Sequence, residues 1–567
     1  MHLPRAVGAT VGMSLILGCG HPAPPPAPAP APSVVSPTTP PGTTGAEISA
    51  QDLELRLSIV SDDSMAGREA GTIGDFKATT YIADEFRKLG LVPGGENGTY
   101  FQTVPLARVS LDERTTSIRV NGRELKLWTD VAPVEADSAL SLTGVRAVYG
   151  GLATDSSTWI SAQAAAGRIV VLGVPERVKG YVPISPLAAN PRFHQSLAVV
   201  IPELALVDTA LITASRQPTT QASTPTADVG PILMPASLQA AEAMVGAPLS
   251  TVKPGTLGPP MSGTIALTRA PVEAPARNVV AILRGGDPAL RGQYVAIGAH
   301  NDHLGVDTQA FDHDSVRIAN GMLRPLGADD PPRAPTAAQA AAIARARDSV
   351  SHVRPPRRDS IFNGADDDGS GTVALLEIAE AFAKAPTLPK RSILFVSHTG
   401  EEEGTLGSHY FMEHPTVPRD SIVAQVNLDM VGRSDSPQDS IRRGPYLQVI
   451  GSKRISTEFG TLVEQVNKDE HPSFRFDYSF DAPGHPEQYY CRSDHWEYAR
   501  FGIPIVFFTT GGHRDYHQVT DESQYIDYIK LQRVTQLAYD ITLRTANLDH
   551  RPKSDHPKTD PNAACVQ

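Results

Sequence analysis

Acidic side chains and histidines follow four apolar runs in the second half of the chain. The runs cover residues 294–298, 392–397, 422–428 and 503–508. The polar residues that follow them are, in chain order, His300 and Asp302, then Glu401, Glu402 and Glu403, then Asp429, then Tyr516 and His517. A fifth group, the triplet Asp366, Asp367 and Asp368, precedes a predicted helix. Sites in open α/β sheets lie outside the carboxyl ends of the strands, so we expect these five segments to converge.

The residue types in these segments favour metal chemistry. Clustered carboxylates repel each other unless cations neutralise them. Histidine with Asp and Glu, and without cysteine, is a ligand set suited to zinc. Two cations at roughly 3.5–4 Å from each other need a carboxylate that bridges them. An acid beside a ligating one can accept a proton from an activated water, and the adjacent pair Glu401–Glu402 fits that division of labour.

The elements that must position these residues read as an α/β domain. Continuous apolar runs of this length are typical of strands that are covered on both faces. A helix is predicted over 372–385, between the first two apolar runs along the chain, and another over 75–89, where Gly90 and Pro93 end the pattern. The alternation of strands and helices from about residue 278 predicts a doubly wound sheet between helices.

Two segments interrupt this pattern. Residues 106–275 contain short β-rich runs separated by Gly, Pro and Ser/Thr, which predicts a small inserted domain without a catalytic constellation. Residues 305–360 are rich in charges, Pro and Ala, with a helix predicted at 337–347. A structureless loop of that length is unusual in a compact domain, so we expect a surface excursion beside the site.

Taken together, the polar segments resemble the dinuclear zinc aminopeptidases, whose clan also holds glutamate carboxypeptidases and glutaminyl cyclases. The motifs are GAHNDH (298–303), NGADDDGSGT (363–372), GEEEGTLGS (400–408), NLDMVG (427–432), SDHWEYARFGIPIVFFTTG (493–511) and YH (516–517). The resemblance covers about 47–105 and 276–545. It implies a three-layer α/β/α peptidase domain with a mixed, mostly parallel sheet, and residues 106–275 resemble an inserted protease-associated domain.

The resemblance also implies roles for single residues. One of two Zn²⁺ ions would be held by His300, Asp367 and Asp429, and the other by Glu402, His517 and the same Asp367. Asp302 would support His300 from behind, Glu401 would be the general base, and Tyr516 would help to stabilise the oxyanion. The implied substrates are peptides with a free N-terminus.

Other residues near the motifs have ordinary structural interpretations. Asp366 and Asp368 are expected to shape or cap the loop before the helix, and Glu403 to be a solvated charge. The neighbouring histidines are expected to be structural: His303, His313, His398, His409, His495 and His513.

The two ends of the chain predict export. Residues 1–19 combine Arg5, a short apolar stretch and Cys19, which resembles a bacterial lipoprotein signal with lipidation at Cys19. An ordinary signal peptide, and secretion, is the alternative. Residues 20–46 form a Pro/Ala-rich linker, and residues 546–567 a polar tail predicted to be disordered. A Cys491–Cys565 bridge is conceivable, but the position of Cys565 in that tail argues against it.

Other functions stay open at this point. A formal net charge of −12 argues against a nucleic-acid partner. Carboxypeptidase action or glutaminyl cyclisation would use most of the same ligands. A non-catalytic binding protein is the third alternative, although the sequence lacks none of the expected ligands.

Overall fold

The computed structural model describes residues 44–567 apart from 135, 137, 176–186, 188–189, 208, 225–229, 332, 435–444, 470–472, 557–559 and 564. The predicted signal peptide and Cys19 lie outside the described residues. Within the described part of the chain, no helix has both the length and the apolar character needed to cross a bilayer.

Two capped helices and two short strands begin the described chain. The helices are α1 (Ala50–Val60) and α2 (Ile73–Lys88), and the strands are β1 (Val92–Pro93) and β2 (Phe101–Val104). The Ser49 and Thr72 side chains accept hydrogen bonds from the first-turn amides of Asp52 and Asp75, which defines both starts. Helix α2 confirms the helix predicted at 75–89, and it begins two residues earlier because Thr72 is its cap.

The next segment is β-rich, as predicted. Its strands are β3 (Leu106–Leu111), β4 (Ser117–Val120), β5 (Arg123–Leu125), β6 (Leu140–Ser141), β7 (Arg146–Leu152), β8 (Ile169–Gly173), β9 (Ala198–Ile201), β10 (Thr219–Ala222), β11 (Ile232–Pro235), β12 (Leu257–Ile265) and β13 (Leu267–Pro271). Its helices are α3 (Ala162–Ala165), α4 (Thr209–Ala214) and α5 (Leu238–Val245). The strands form a three-stranded sheet, β10-β3-β13, and an eight-stranded sheet, β11-β9-β8-β7-β12-β4-β5, in which β6 also pairs with β12. Its likeness to a protease-associated domain stays a prediction.

A nine-stranded sheet forms the centre of the second half. Its later strands are β14 (Ala276–Leu283), β15 (Tyr294–His300), β18 (Ser392–His398), β19 (Ile422–Leu428), β20 (Tyr446–Ile450), β21 (Arg475–Asp477) and β22 (Ile505–Thr509). The order is β1-β14-β18-β15-β19-β22-β20-β21, and β2 pairs with β14. The middle of the sheet, β18-β15-β19-β22, is parallel, while β14 and β20 join it antiparallel. The predicted α/β class is confirmed.

Helices cover both faces of this sheet. They are α8 (Gly371–Lys384), α9 (Leu406–Glu413), α10 (Thr457–Asp469), α11 (His495–Ala499) and α12 (Tyr528–Ala546). Alternate residues of strand β18 belong to different hydrophobic cores. Ile393 and Phe395 pack with α8 and α12, whereas Leu394 and Val396 pack with α9 and α11. Because a strand turns successive side chains to opposite faces, this division explains why the four runs are apolar throughout.

The segment at 305–360 has its own secondary structure. It consists of β16 (Val306–Asp312), α6 (His313–Leu323), α7 (Ala337–Ser351) and β17 (Arg358–Ile361), and β16 pairs antiparallel with β17. Helix α7 contains the helix predicted at 337–347 and starts at a capping box formed by Thr336 and Gln339. The predicted excursion is therefore an ordered hairpin of strands that carries two helices.

The C-terminal tail differs from its prediction. A disulfide joins Cys491 to Cys565, although the tail was expected to be disordered and the bridge was not expected. The amides of Asp555 and His556 donate to the carbonyl of Ile455, and the Gln567 side chain donates to the carbonyl of Phe480. A polar tail can be ordered without a core of its own when main-chain groups of a neighbouring domain satisfy its polar atoms.

Candidate functional site

The parallel strands deliver the predicted site residues to one edge of the sheet. His300 is the last residue of β15, and Asp429 follows directly after β19. Glu401 and Glu402 lie three and four residues after β18, and His517 lies on the loop after β22. Asp367 lies in the turn before α8. The five predicted ligands and Glu401 therefore converge, as the sequence predicts.

Asp367 occupies the centre of this group. One carboxylate oxygen, Oδ1, lies 3.2 Å from His300 Nε2, and the other, Oδ2, lies 3.0 Å from His517 Nε2. Asp367 is 3% exposed, and its amide donates to the buried carboxylate of Asp521. Each oxygen of one fixed carboxylate thus faces a different histidine, which is the arrangement that a bridging ligand requires.

Each histidine also faces a second acid. His300 Nε2 lies 3.8 Å from Asp429 Oδ1, and His517 Nε2 lies 3.0 Å from Glu402 Oε2. The Asp429 carboxylate is held from behind by the Ser493 hydroxyl, which donates to Oδ2 at 2.8 Å. The site thus divides into one half with His300 and Asp429 and another with His517 and Glu402, and Asp367 lies between them.

The electrostatics of these groups show how strongly they interact. Burial would lower the pKa of His300, but the carboxylates of Asp302, Asp367 and Asp429 raise it well above its usual value. Burial would raise the pKa of Asp367, but His300, His303 and His517 hold it well below the usual range. Burial raises the pKa of Glu401, and the charges of Asp429 and Glu402 add to that rise. The pocket therefore concentrates carboxylates whose mutual repulsion is reduced by nearby positive charge.

The donor set fits divalent zinc. Among the described residues, His300 Nε2 and Asp367 Oδ2 are buried atoms without a hydrogen bond of acceptable geometry. Unpaired buried polar atoms are costly, and in a native protein they call for an unseen partner. Imidazole nitrogens and carboxylate oxygens, with no cysteine sulfur, suit Zn²⁺. The residues present therefore fit zinc.

Asp368 lies close enough to His300 and Asp429 to compete with Asp367 as a ligand. Its carboxylate is already occupied: Oδ2 accepts from the amide of His300 at 3.0 Å, and Oδ1 accepts from the amides of Gly371 and Met430. These contacts bind three site segments together. Asp368 therefore positions the loop, as expected, and Asp367 is the better ligand.

Asp366 also shapes the loop. It accepts from the Gly432 amide at 2.7 Å and lies 3.2 Å from the buried ring of His513. His398 and His495 are fully buried, and burial lowers the pKa of each to about 3. These histidines are neutral packing groups, in agreement with their structural interpretation.

Asp302 does more than its predicted support of His300. Its backbone carbonyl lies 3.1 Å from His300 Nδ1, while its carboxylate is farther from that atom, at 3.7 Å. The same carboxylate accepts hydrogen bonds from the amides of Glu401 and Glu402 at 3.2 and 3.3 Å. Asp302 thus orients both the first histidine and the loop that carries the two glutamates.

Glu401 lies at the edge of the group, where a base is needed. Its Oε2 is 4.0 Å from His300 Nε2, and its side chain is 11% exposed, so it faces the cavity. Glu403, which was expected to be solvated, has a buried Oε2 atom and a pKa that burial and Asp302 raise well above the usual range. That interpretation of Glu403 is wrong because its carboxyl group is buried beside Asp302.

A cavity of about 410 Å³ opens beside Glu401 and Asp429. Its far wall carries Met430, Phe507 and Tyr516, together with a polar group that the sequence analysis missed: Asp329, Tyr489 and Arg492. His303 was missed as well, since its Nδ1 lies 2.5 Å from Glu402 Oε1. Only His303 had a usable signal, because it stands three residues after His300 in the same motif.

Comparison with known proteins identifies similar chains. Residues 278–542 match the model of peptidase family M28. An aminopeptidase of Bacillus subtilis is 25% identical over 202 residues, which are 34% of this chain and 40% of that protein. A probable zinc metalloprotease of Pyrenophora tritici-repentis is 41% identical over 71 residues, 12% of this chain and 16% of that protein. The chain thus spans less than half the length of these relatives.

The structure also aligns with a solved structure, that of an aminopeptidase from Aneurinibacillus sp. strain AM-1. The alignment covers 91% of this chain and 98% of the aminopeptidase chain, with 15% sequence identity and a TM-score of 0.46.

Proposed function

We propose that this chain, whose residues 278–542 match the model of peptidase family M28, is a zinc-dependent aminopeptidase that removes N-terminal residues from peptides. The observation that carries the proposal is the position of Asp367, whose two carboxylate oxygens face His300 and His517 at 3.2 and 3.0 Å. His300, Asp367 and Asp429 would hold one zinc, and Asp367, Glu402 and His517 the other. Bound zinc would lower the pKa of water and polarise a carbonyl oxygen.

The chain's own groups supply proton transfer. Glu401 faces the cavity beside His300, which is the position from which a carboxylate takes the proton of an attacking water. The same carboxylate then returns the proton to the leaving amine. The amides of Glu401 and Glu402 are fixed by Asp302, so the base and its neighbour keep their spacing during both transfers.

Tyr516 supports the reacting carbonyl from the other side of the cavity. Its ring lies against His517, with centroids 4.0 Å apart, and its hydroxyl is at the cavity wall. Burial raises the pKa of Tyr516 well above its usual value, so the hydroxyl keeps its proton and can donate a hydrogen bond to a developing oxyanion.

The acidic lining favours a free α-amine. Asp329, Glu401, Glu402 and Asp429 all line the cavity. A substrate ammonium group would find negative charge there, whereas a blocked amine would bury a neutral amide among carboxylates at a cost. This is the physical basis for exopeptidase action at the N-terminus.

The test is a panel of free and N-acetylated aminoacyl and peptide substrates, assayed with and without chelator and with zinc restored. We expect chelator-sensitive release of free N-terminal residues and no turnover of the acetylated series. Release of C-terminal residues from acetylated dipeptides, or cyclisation of N-terminal glutamine, would replace this proposal with one of the related activities. Zinc content well below two per chain in active protein would contradict the dinuclear assignment.

We also propose that the chain is exported and anchored through Cys19. The disulfide between Cys491 and Cys565 supports export, because disulfides persist in oxidising compartments. Mass spectrometry of the mature N-terminus tests the proposal, with the Cys19→Ser variant as control. A lipidated Cys19 and loss of membrane association in the variant are expected, and an unmodified N-terminus beyond residue 19 would indicate simple secretion.

A further inference from the structure

The hairpin at 305–360, which we call the excursion, packs against the loop that carries Tyr516 and His517. The Arg317 guanidinium pairs with both oxygens of Asp515 at 2.8 and 3.0 Å. The Asn320 side chain donates to the carbonyl of Arg514 at 3.0 Å. Asp515 is fully buried and also pairs with Arg433, so this contact is part of the domain interior. The excursion is therefore fastened to the segment just before the last proposed zinc ligand.

A tight turn of the excursion then passes along Tyr516. The amide of Ala328 donates to the carbonyl of Tyr516 at 3.2 Å. Gly327 has φ of +63°, and a Cβ atom there would lie 2.6 Å from the carbonyl oxygens of His513 and Tyr516. The left-handed backbone favours glycine, and a Cβ atom at this distance would clash with both carbonyl oxygens. The turn thus places Asp329, two residues after Gly327, at the wall of the cavity.

Asp329 is the start of a chain of hydrogen bonds. Its Oδ2 accepts from the Tyr489 hydroxyl at 2.9 Å, and its Oδ1 accepts from Arg492 Nη1 at 3.0 Å. The Asp329 side chain is 6% exposed, which makes these bonds stronger than surface ion pairs. Arg492 also lies over the Tyr489 ring, 5.3 Å from its centroid. The guanidinium is thereby fixed on two sides.

The other end of Arg492 reaches Tyr516. Arg492 Nη2 donates to the Tyr516 hydroxyl oxygen at 3.0 Å. A guanidinium has donors and no acceptor, so the tyrosine oxygen must accept in this bond. The hydroxyl hydrogen is then left for another acceptor. On the cavity side, the carbonyl oxygen of a bound substrate would be such an acceptor.

We propose that Asp329 and Arg492 are positioning residues for the reaction, and that the excursion exists in part to supply Asp329. Asp329 holds Arg492, and Arg492 holds the Tyr516 hydroxyl with its hydrogen directed at the reacting carbonyl. This inference rests on the proposed aminopeptidase function and adds residues that the metal motifs do not contain.

A double-mutant cycle tests the proposal in the full-length, zinc-loaded protein with a free aminoacyl substrate. Asp329→Asn should lower kcat about tenfold and change KM less than about twofold, because the lost bond matters when the oxyanion develops. In the Tyr516→Phe background the same change should have no further effect on kcat. Independent effects that multiply would overturn the proposal, as would a loss confined to KM.

Two further variants serve as a control and as a substitute for a variant that does not fold. Glu487→Gln is the matched control, since Glu487 lies 3.6 Å from Arg492 Nη1 but is 41% exposed, and its kcat should stay within about twofold of the parent. If Asp329→Asn does not fold, Arg492→Lys replaces it in the cycle, because an ammonium cannot bridge Asp329 and Tyr516 as a fork does. An Arg492→Lys loss that multiplies with Tyr516→Phe would overturn the proposal.

Zinc content and thermal unfolding are measured for every variant. The proposal is supported if the variants keep the zinc content and unfolding temperature of the parent and show the non-additive loss of kcat. A loss of zinc that accounts for the loss of kcat would overturn it. A parent protein without chelator-sensitive aminopeptidase activity would instead show that the proposed function itself is wrong.

Discussion

At the scale of single residues, the proposed mechanism gives Glu401 and Glu402 different roles. Glu402 lies 3.0 Å from His517, whereas Glu401 faces the cavity. We expect Glu401→Gln to lower kcat by roughly 10²–10⁴-fold, which is the usual contribution of a general base, with zinc content unchanged. Glu402→Gln should instead lose zinc. Metal analysis beside steady-state kinetics distinguishes the two, and equal zinc loss in both variants would contradict the division.

The neighbouring aspartates Asp367 and Asp368 differ in the same way. Asp368 accepts backbone hydrogen bonds from His300, Gly371 and Met430. In Asp368→Asn, an amide N–H₂ group must face a backbone donor, which leaves buried groups unpaired. We expect a loss of about 1–3 kcal/mol in the free energy of unfolding. Chemical denaturation measures it.

Asp367→Asn provides the contrast. It removes the charge between the two histidines, so we expect loss of bound zinc with little loss of metal-free stability. A stable, zinc-depleted Asp368→Asn variant would show that Asp368, rather than Asp367, is the ligand.

The convergence of the proposed ligands could be predicted because their motifs keep residue types, spacing and order along the chain. Asp329 and Arg492 could not. Their partnership joins residues 163 apart in sequence, and it depends on the path of the excursion, which no local pattern encodes. Glu403 was misjudged for a related reason, since the sequence cannot show which charge of a run turns inward.

At the scale of elements, helix α9 sets the position of the glutamate loop. Gly407 packs so closely that a Cβ atom would lie 2.1 Å from the carbonyl oxygen of Thr399 and 2.4 Å from Asn278 Oδ1. Asn278 in turn donates to the Gly407 carbonyl at 2.8 Å and accepts from the Thr399 amide. The contact therefore links α9, β14 and the end of β18.

We expect Gly407→Ala to destabilise the fold by about 1–3 kcal/mol or more, because the backbone of Thr399 has to move. The displaced loop should also lower kcat, since only Gly400 separates Thr399 from Glu401 and Glu402. Thermal unfolding and kinetics of the variant check both effects. Gly292→Ala is the matched control, as a Cβ atom there meets nothing within 4 Å. Equal stability of the two variants would contradict the argument.

The elements themselves were predictable where periodicity was strong. The central strands and α2 follow their apolar patterns closely. The mixed direction of the sheet was implied by the family resemblance and not by the apolar patterns, because strand direction depends on connections rather than on composition. The ordered tail was missed because its residues are polar and are held by main-chain partners, such as the Ile455 carbonyl, instead of by an apolar face.

At the scale of the whole molecule, zinc would join segments from His300 to His517. A ligand that binds only the folded chain stabilises it by mass action, and metal sites of this kind couple binding to folding. We expect chelation to lower the unfolding temperature and zinc to restore it. The unfolding temperature of Asp367→Ala should respond to neither treatment. An unfolding temperature of the parent protein that does not change when chelator is added would contradict the metal assignment.

The disulfide also contributes to the stability of the whole molecule. It closes a loop between residues 74 apart, Cys491 and Cys565. Restricting the unfolded chain in this way typically contributes about 2–4 kcal/mol. We therefore expect Cys565→Ser to lower the free energy of unfolding by that amount in chemical denaturation. Because Cys491 precedes Arg492 at the cavity wall, the variant should also show a moderately lowered kcat. Unchanged stability would indicate that the tail is not needed.

The distribution of the metal-binding residues along the chain has a consequence for synthesis. A growing polypeptide that has reached residue 500 contains His300, Asp367, Glu402 and Asp429 but not yet His517. The half of the centre that pairs Glu402 with His517 therefore cannot form on the ribosome until most of the protein has been made. A hydrolase that depends on both halves of this centre would therefore become active only after the segment containing His517 has been made.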